Sequence, residues 1–423
     1  MLEPVKTAAP HLPISKVFAV GIGNALEFYD FLTFSFFAVQ IGHCFFPAGK
    51  TSHGLLYSLA TFGVGFVTRP LGGVIIGRYA DRAGRKPAMT LSFVLMGVAI
   101  TGLALTPSFA QIGVAAPVLL VVFRLVQGFA LGGEVGPSTA YLVEAAPPDR
   151  RGLYVAIQYM TQDSAVLAAG LVGYALARWL DPAALDAWGW RAAFLLGAAV
   201  VPVGLMIRSS LPETFVATAK DGEVTPIPWT LVLLGVAMLG AVTIGYYVTD
   251  YVATYAQDSL HLSSSDALLS IVVLGVCCVV TDPLSGLLSE RVGRRPVMLA
   301  GATLVILLTV PAFTALTRAP GVGHLCCVTA LLGVFVSMAA APALTTVTES
   351  FPARIRAGAL GTVYAVAVAT FGGTTQFMVK WLTDVSGSAL APAWYLTGAM
   401  AVGAVAMACV GETAPRIKAK VVE

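Results

Sequence analysis

The feature that most limits what this chain can become is a succession of apolar stretches running from near Val17 to near Val410. Crossing the roughly 30 Å hydrocarbon core of a bilayer takes about 20 helical residues. Twelve stretches of that order are legible, at approximately 17–42, 54–79, 87–106, 112–143, 153–179, 190–208, 229–256, 267–289, 296–316, 322–346, 357–380 and 391–411. Inside lipid no water satisfies backbone N–H and C=O groups, so segments of this length must satisfy their own, as helices. Charged residues make up only 11% of the chain, where soluble domains carry about 25%. The 43 glycines and 24 prolines lie largely among the apolar runs, as packed membrane helices tolerate. The expected fold is an all-α polytopic membrane protein of twelve transmembrane helices.

An even number of spans puts both termini on one side, and the basic residues choose that side. Lys6 and Lys16 precede the first span, and Arg78, Arg82, Arg85 and Lys86 follow the second. Arg150 and Arg151 follow the fourth, Arg208 and Lys220 the sixth, Arg291, Arg294 and Arg295 the eighth, and Arg354 and Arg356 the tenth. With Arg416, Lys418 and Lys420 at the end, 18 of the 25 Lys and Arg residues share one face. The opposite loops hold Lys50, Arg178, Arg191, Arg318 and, at the rim, Lys380. Both termini are therefore expected in the cytoplasm. The first stretch is too long and too polar in its middle for a cleavable signal peptide.

The chain also repeats itself. Gly77-x3-Asp81-Arg82-x-Gly84-Arg85-Lys86-Pro87 follows span two, and Gly286-x3-Glu290-Arg291-x-Gly293-Arg294-Arg295-Pro296 follows span eight. Glu144, Pro147 and Arg150 after span four are echoed by Glu349, Pro352 and Arg354 after span ten. The expected architecture is two related six-helix bundles, residues 1–208 and 229–423, joined by a cytoplasmic linker over 209–228 that carries Pro212, Gly222, Pro226 and Pro228. A substrate path in such a molecule lies between the halves near the midplane. In the repeated motif the glycines permit a tight turn and close helix approach. Its charges can lock one end of the molecule in one state and release it in another. A purely topogenic basic loop is the competing reading, and two copies at equivalent places favour the gate.

This motif resembles the loop signature of the major facilitator superfamily. Further stretches resemble its metabolite:proton symporter branch: Gly23-Asn24-Ala-Leu-Glu27-Phe-Tyr-Asp30-Phe31, Phe66-Val-Thr-Arg69-Pro70-Leu-Gly72-Gly73, and Arg124-Leu-Val-Gln127-Gly128-Phe-Ala-Leu-Gly132-Gly133-Glu134. Within the branch, Trp188-Gly189-Trp190-Arg191, Leu262-Ser-Ser-Ser-Asp266 and Phe371-Gly372-Gly373-Thr374 look most like citrate and tricarballylate transporters. Two positions depart from the pattern: Gln376 stands where a proline is expected, and Asp163 where an amide is expected.

Charges at membrane depth are costly and normally face a cavity or a partner. Asp30 lies about 20 Å along the helix from Lys16, in mid-membrane, with Glu27 three residues before it. On span four, Arg124, Gln127 and Glu134 share a stripe. The resemblance extends to sugar–proton symporters in which an Asp on span one and an Arg on span four form the proton switch, and Asp30 and Arg124 match those places. Beside Arg124, Asp30 is ionised; once Arg124 is drawn away it takes a proton. A permanent structural ion pair is the alternative. Glu134 stands between coupling and pairing with loop arginines, and Glu27 between coupling and a helix-packing bond.

Arg69 lies about 18 Å up its helix from Asp81. It is expected either to bind substrate carboxylates bidentately or to bond backbone carbonyls around Pro70. Asn24 and Gln127 are further candidates for the substrate, and Gln158 and Gln162, four apart on span five, join them through the resemblance. Tyr246 on span seven, and Tyr364 and Thr374 on span eleven, complete the expected contacts. Asp250 is placed toward the outer end of span seven, where an interfacial position would account for it.

Other function classes lack their residues. There is no His-Glu-x-x-His, no Gly-x-Ser-x-Gly, no Cys/His constellation and no Gly-x4-Gly-Lys-Ser/Thr loop, so neither an enzyme, a metal or cofactor, nor ATP as energy source is expected. A sensor with a transporter fold would usually append an output domain. The expected function is proton-coupled import of a small organic anion, citrate or a related di- or tricarboxylate. A zwitterion such as proline or betaine, or a monocarboxylate such as shikimate, is the alternative. Expected partners are that anion, protons and the lipid of a bacterial inner membrane, with no nucleic acid, and the protein is expected to be a monomer.

Overall fold

The computed structural model describes residues 28–46, 54–83, 85–132, 149–209, 228–352 and 355–415, with residues 25, 139, 142–143, 146–147 and 417. Of the expected linker, 209–228, residues 210–227 lie outside them. Helices follow one another in the order that the apolar stretches set. Span one is helical from residue 28 to 45 but for a turn at Phe37, with Ala38–Phe45 its last part. Span two is Gly54–Val67 continued by Arg69–Ala83, and spans three and four are Arg85–Leu105 and Ala115–Leu131. Spans five to ten are Arg151–Trp179, Trp190–Ser209, Trp229–Asp258, Ser264–Val292, Arg294–Arg318 and Val322–Ser350. Span eleven runs from Arg356–Ala367 through a π-helical turn, Val368–Gly372, into Gly373–Ser386, and span twelve is Ala391–Cys409. Six of these helices are by themselves long and apolar enough to cross a bilayer.

Glycines decide how closely the spans cross. In span four, a Cβ on Gly128 would stand 1.6 Å from the Gly65 carbonyl oxygen, and one on Gly132 would stand 1.8 Å from that of Arg69. Spans two and four therefore touch backbone to backbone, as small-residue stripes allow in lipid. Thr68 marks the break in span two and donates its hydroxyl to the Leu125 carbonyl at 2.7 Å. Pro70 explains the break, because it has no N–H to bond the preceding turn and crowds the residue before it.

The two halves meet along two helix pairs. Spans five and eight cross at Gly275, against the backbone of Leu167, and at Gly286, against Ala156 and the Gly152 carbonyl. Spans two and eleven cross where Gly63 meets the Gly373 carbonyl. At the end that carries the basic loops, Glu290 accepts from the Gly152 amide at 2.5 Å and pairs with Arg294 at 3.1 Å. Arg294 also reaches Glu349 at 3.3 Å, and Glu349 lies 3.9 Å from Arg151 of the other half. At the opposite end, Lys380 is held between Asp258 at 2.9 Å and Asp384 at 2.7 Å. There Gln40 donates to Gln257 at 3.2 Å.

Candidate functional site

The spans one, two and four build one wall of the interior. Arg124 is fully buried, and its guanidinium lies 4.5 to 5.1 Å from the ring centres of Phe31, Phe34 and Phe62. Each ring face offers a desolvated cation about 1 to 2 kcal/mol. Its Nη1 donates to Gln127 Oε1 at 2.7 Å, and its Nη2 to the Phe62 carbonyl at 3.3 Å. Gln127 Nε2 in turn donates to Asp30 Oδ2. The direct Asp30–Arg124 pair expected from sequence is thus a bridged one, carboxylate to amide to guanidinium. The reason is geometric: Gln127 lies one helical turn beyond Arg124 on the same stripe and reaches span one from there. Asp30 Oδ1 is buried and receives no hydrogen bond.

Arg69 sits beside this chain. Its guanidinium is sandwiched 4.6 Å from the Phe31 ring and 4.1 Å from the Phe66 ring. Its charge is felt at Tyr247 and Tyr364 from the other half. Tyr247 packs edge-on against Phe62 and Phe66 with centres 5.9 and 5.6 Å apart, so the aromatic box around the arginines is closed by span seven.

A small cavity of about 60 Å³ lies between the halves. Spans one, five, seven and eleven line it with Gln162, Asp163, Tyr246, Asp250 and Tyr364 among others. Of the residues expected to meet substrate, Gln162, Tyr246 and Tyr364 are among those lining it. Tyr246 stacks on Tyr159, centres 5.8 Å apart and planes 9° from parallel. Asp250, expected at the interface, is 5% exposed and lines the cavity instead; its helix extends to Asp258, which puts it more than two turns inside.

Other expected residues fall elsewhere. Gln158 is buried, but it accepts from Thr139 at 3.0 Å and does not line the cavity. Thr374 is exposed and donates to the Thr370 carbonyl of its own helix. The π turn before it adds a residue to the helical count and rotates Thr375 and Gln376 inward in its place. Gln376 donates to Ser35 Oγ at 2.6 Å, joining span eleven to span one. Asn24, Glu27, Glu134 and Gly84 lie outside the described residues, as do the side chains of Asp81, Arg82 and Arg85; Gly77 falls within span two.

The second copy of the motif is described in full. Gly286 gives span five its close approach and Glu290 and Arg294 form the network above, while Arg291 is exposed. Gly293 takes a positive φ of 112°, which only glycine adopts freely. Glu412, absent from the sequence reading, accepts from the Arg294 and Arg295 amides at 2.9 and 3.0 Å. A lone acid just past the last span was the signal available. Also absent was Asp282, fully buried on span eight beside Pro283.

A family model described as the Major Facilitator Superfamily matches residues 46–282 and 240–422. The chain belongs to the major facilitator superfamily. It is 34% identical over 402 residues to a citrate-proton symporter of Klebsiella pneumoniae, covering 93% of this chain and 90% of the relative. To the alpha-ketoglutarate permease of Escherichia coli strain K12 it is 34% identical, covering 89% and 88%. To the proline/betaine transporter of that strain it is 30% identical, covering 94% and 83%. Among solved structures, a D-xylose-proton symporter superposes with a TM-score of 0.72 at 21% identity, over 95% of this chain and 98% of that one, which gives this superfamily member its two-bundle fold. The relatives are transporters and permeases rather than enzymes, and this protein is a proton-coupled, multi-pass membrane transporter.

Proposed function

We propose that the protein imports a di- or tricarboxylate together with protons by alternating access between its halves, residues 1–208 and 229–423, linked through 209–228. The basic-loop end faces the cytoplasm of a bacterial inner membrane, with both termini there, as the charge bias supports. The observation that carries the reading is the Asp30–Gln127–Arg124 chain buried beside the central cavity. Asp30 Oδ2 is held by the amide, and Oδ1, which has no donor, is where a proton binds. Protonation removes the charge that balances Arg124 and leaves the guanidinium free to hold the substrate anion, so proton and anion bind together. Arg69, in its aromatic sandwich, supplies the second positive charge, and the Tyr247 and Tyr364 hydroxyls opposite can donate to substrate oxygens. A cavity of about 60 Å³ is well below the roughly 300 Å³ of a small-molecule pocket; substrate enters only when one end has opened. The charge network around Glu290, Arg294 and Glu349 is the latch at the cytoplasmic end, and the loop after span two is its counterpart.

The substrate class rests on Arg69 and on the names of two relatives that are 34% identical. Arg69→Lys keeps the charge and loses the planar fork; it should raise the half-saturating concentration of the anion at least about tenfold with expression unchanged. Counterflow in proteoliposomes loaded with citrate, tricarballylate, α-ketoglutarate, proline or betaine separates the classes. A second reading has its own support. Asp163 and Asp250 line the cavity and would suit the positive centre of a zwitterion, as in proline or betaine; exchange of those two alone would replace the anion reading.

A further inference from the structure

Asp163 of span five and Asp282 of span eight bring two carboxyl groups within hydrogen-bonding reach across the contact between the halves. Asp282 is 0% exposed and Asp163 4%. Neither oxygen of Asp282, nor Oδ2 of Asp163, receives a hydrogen bond from a nitrogen donor; besides each other, the Ser337 hydroxyl is the polar group that reaches Asp282. Two carboxylates are both acceptors, so a bond between them requires a proton. The crossings at Gly275 and Gly286 hold the helices together on either side of the pair, leaving no room to swing apart. Around it stand Tyr159 of span five, Tyr246 and Asp250 of span seven, Cys278 of span eight and Ser337 of span ten. None is basic, and no arginine or lysine among the described residues acts on either carboxyl. Nor do the acids form a cage: among the described residues, no three His, Cys, Asp or Glu side chains converge as for a metal ion.

We infer that Asp163 and Asp282 hold one proton between them while spans five and eight are together, and release it when those spans part. Two carboxylates in contact cannot both ionise in a low-dielectric interior. Opening the basic-loop end separates them, exposes each to water and frees the proton on that side. The pair therefore favours opening toward the side of lower proton activity and forms a second proton site distinct from Asp30. This rests on the proton-coupled reading above, but its test needs neither substrate nor Asp30.

The test is infrared spectroscopy of the purified, substrate-free protein in lipid at neutral pH. A protonated-carboxyl band should be present in the wild type, lost in Asp163→Asn and in Asp282→Asn, and kept in Asp30→Asn. Should either Asn variant fold poorly, Asp163→Glu retains an acid pair and should displace the band without removing it. Spectra of the variants superimposable on that of the wild type would overturn the inference. So would loss of the wild-type band on adding sodium at fixed pH, which would make the pair a cation site. If no substrate of the panel exchanges while the band behaves as described, the transport reading fails and the proton pair stands.

Discussion

The two walls of the central cavity solve the same problem in opposite ways. On spans one, two and four, Arg124 and Asp30 are buried with the half-buried Arg69 beside them, phenylalanine rings against the guanidinium faces and one glutamine joining the opposite charges. On spans five, seven and eight, three aspartates are buried with no cation among the described residues acting on them. The first wall balances charge by charge. The second can be neutral only by binding something positive. A molecule that carries both can respond to protons at one wall and to an anion at the other, and the difference predicts how each wall tolerates substitution.

The largest effect is expected where a charge is orphaned. Arg124→Leu leaves Asp30 buried with only an amide, and loss of one member of a buried pair costs about 3 to 5 kcal/mol. Thermal unfolding in detergent should drop sharply, whereas Asp163→Asn, which removes one of several like charges, should leave the midpoint unchanged or raise it. Equal losses in both variants would erase the contrast between the walls. Next comes the bridge itself. Gln127→Leu strips a partner from both Arg124 Nη1 and Asp30 Oδ2 and should cost about 1 to 3 kcal/mol, read by the same melt, along with coupled uptake. The smallest effect belongs to a pair in water. His43 lies 3.0 Å from Asp186 at the end opposite the basic loops, and both are substantially exposed. The hydrogen bond to Asp186 raises the His43 pKa above its ordinary value. Its contribution is thus present below the unfolded-state value and lost as pH rises through the folded-state one. His43→Ala should cost less than about 1 kcal/mol and only on the acid side, which unfolding at two pH values checks.

The walls also differ in how much of them was legible in sequence. The helices, their order and the doubled motif follow from apolar length and repetition. Asp30, Arg124 and Gln127 stood out because a charge inside an apolar run has few explanations and the last two are one turn apart. The relay through Gln127 was hidden, since which of two neighbours on a stripe reaches across depends on the distance to another helix. Asp163 and Asp282 are separated by most of a half, and neither spacing nor the repeat links them; only the glycine crossings of spans five and eight bring them together. Thr374 was misplaced by a local cause, the π turn at Val368–Gly372, whose sequence sign was the glycine pair after Phe371.

As the proposed proton carrier, Asp30 must gain and lose a proton in every cycle. Asp30→Asn keeps an acceptor for Gln127, so the bridge to Arg124 survives, but it fixes the neutral form. In proteoliposomes, the variant should lose accumulation of substrate under an imposed proton gradient while still exchanging labelled for unlabelled substrate across the membrane. Accumulation against a gradient by Asp30→Asn, at a rate comparable to the wild type, would contradict the account.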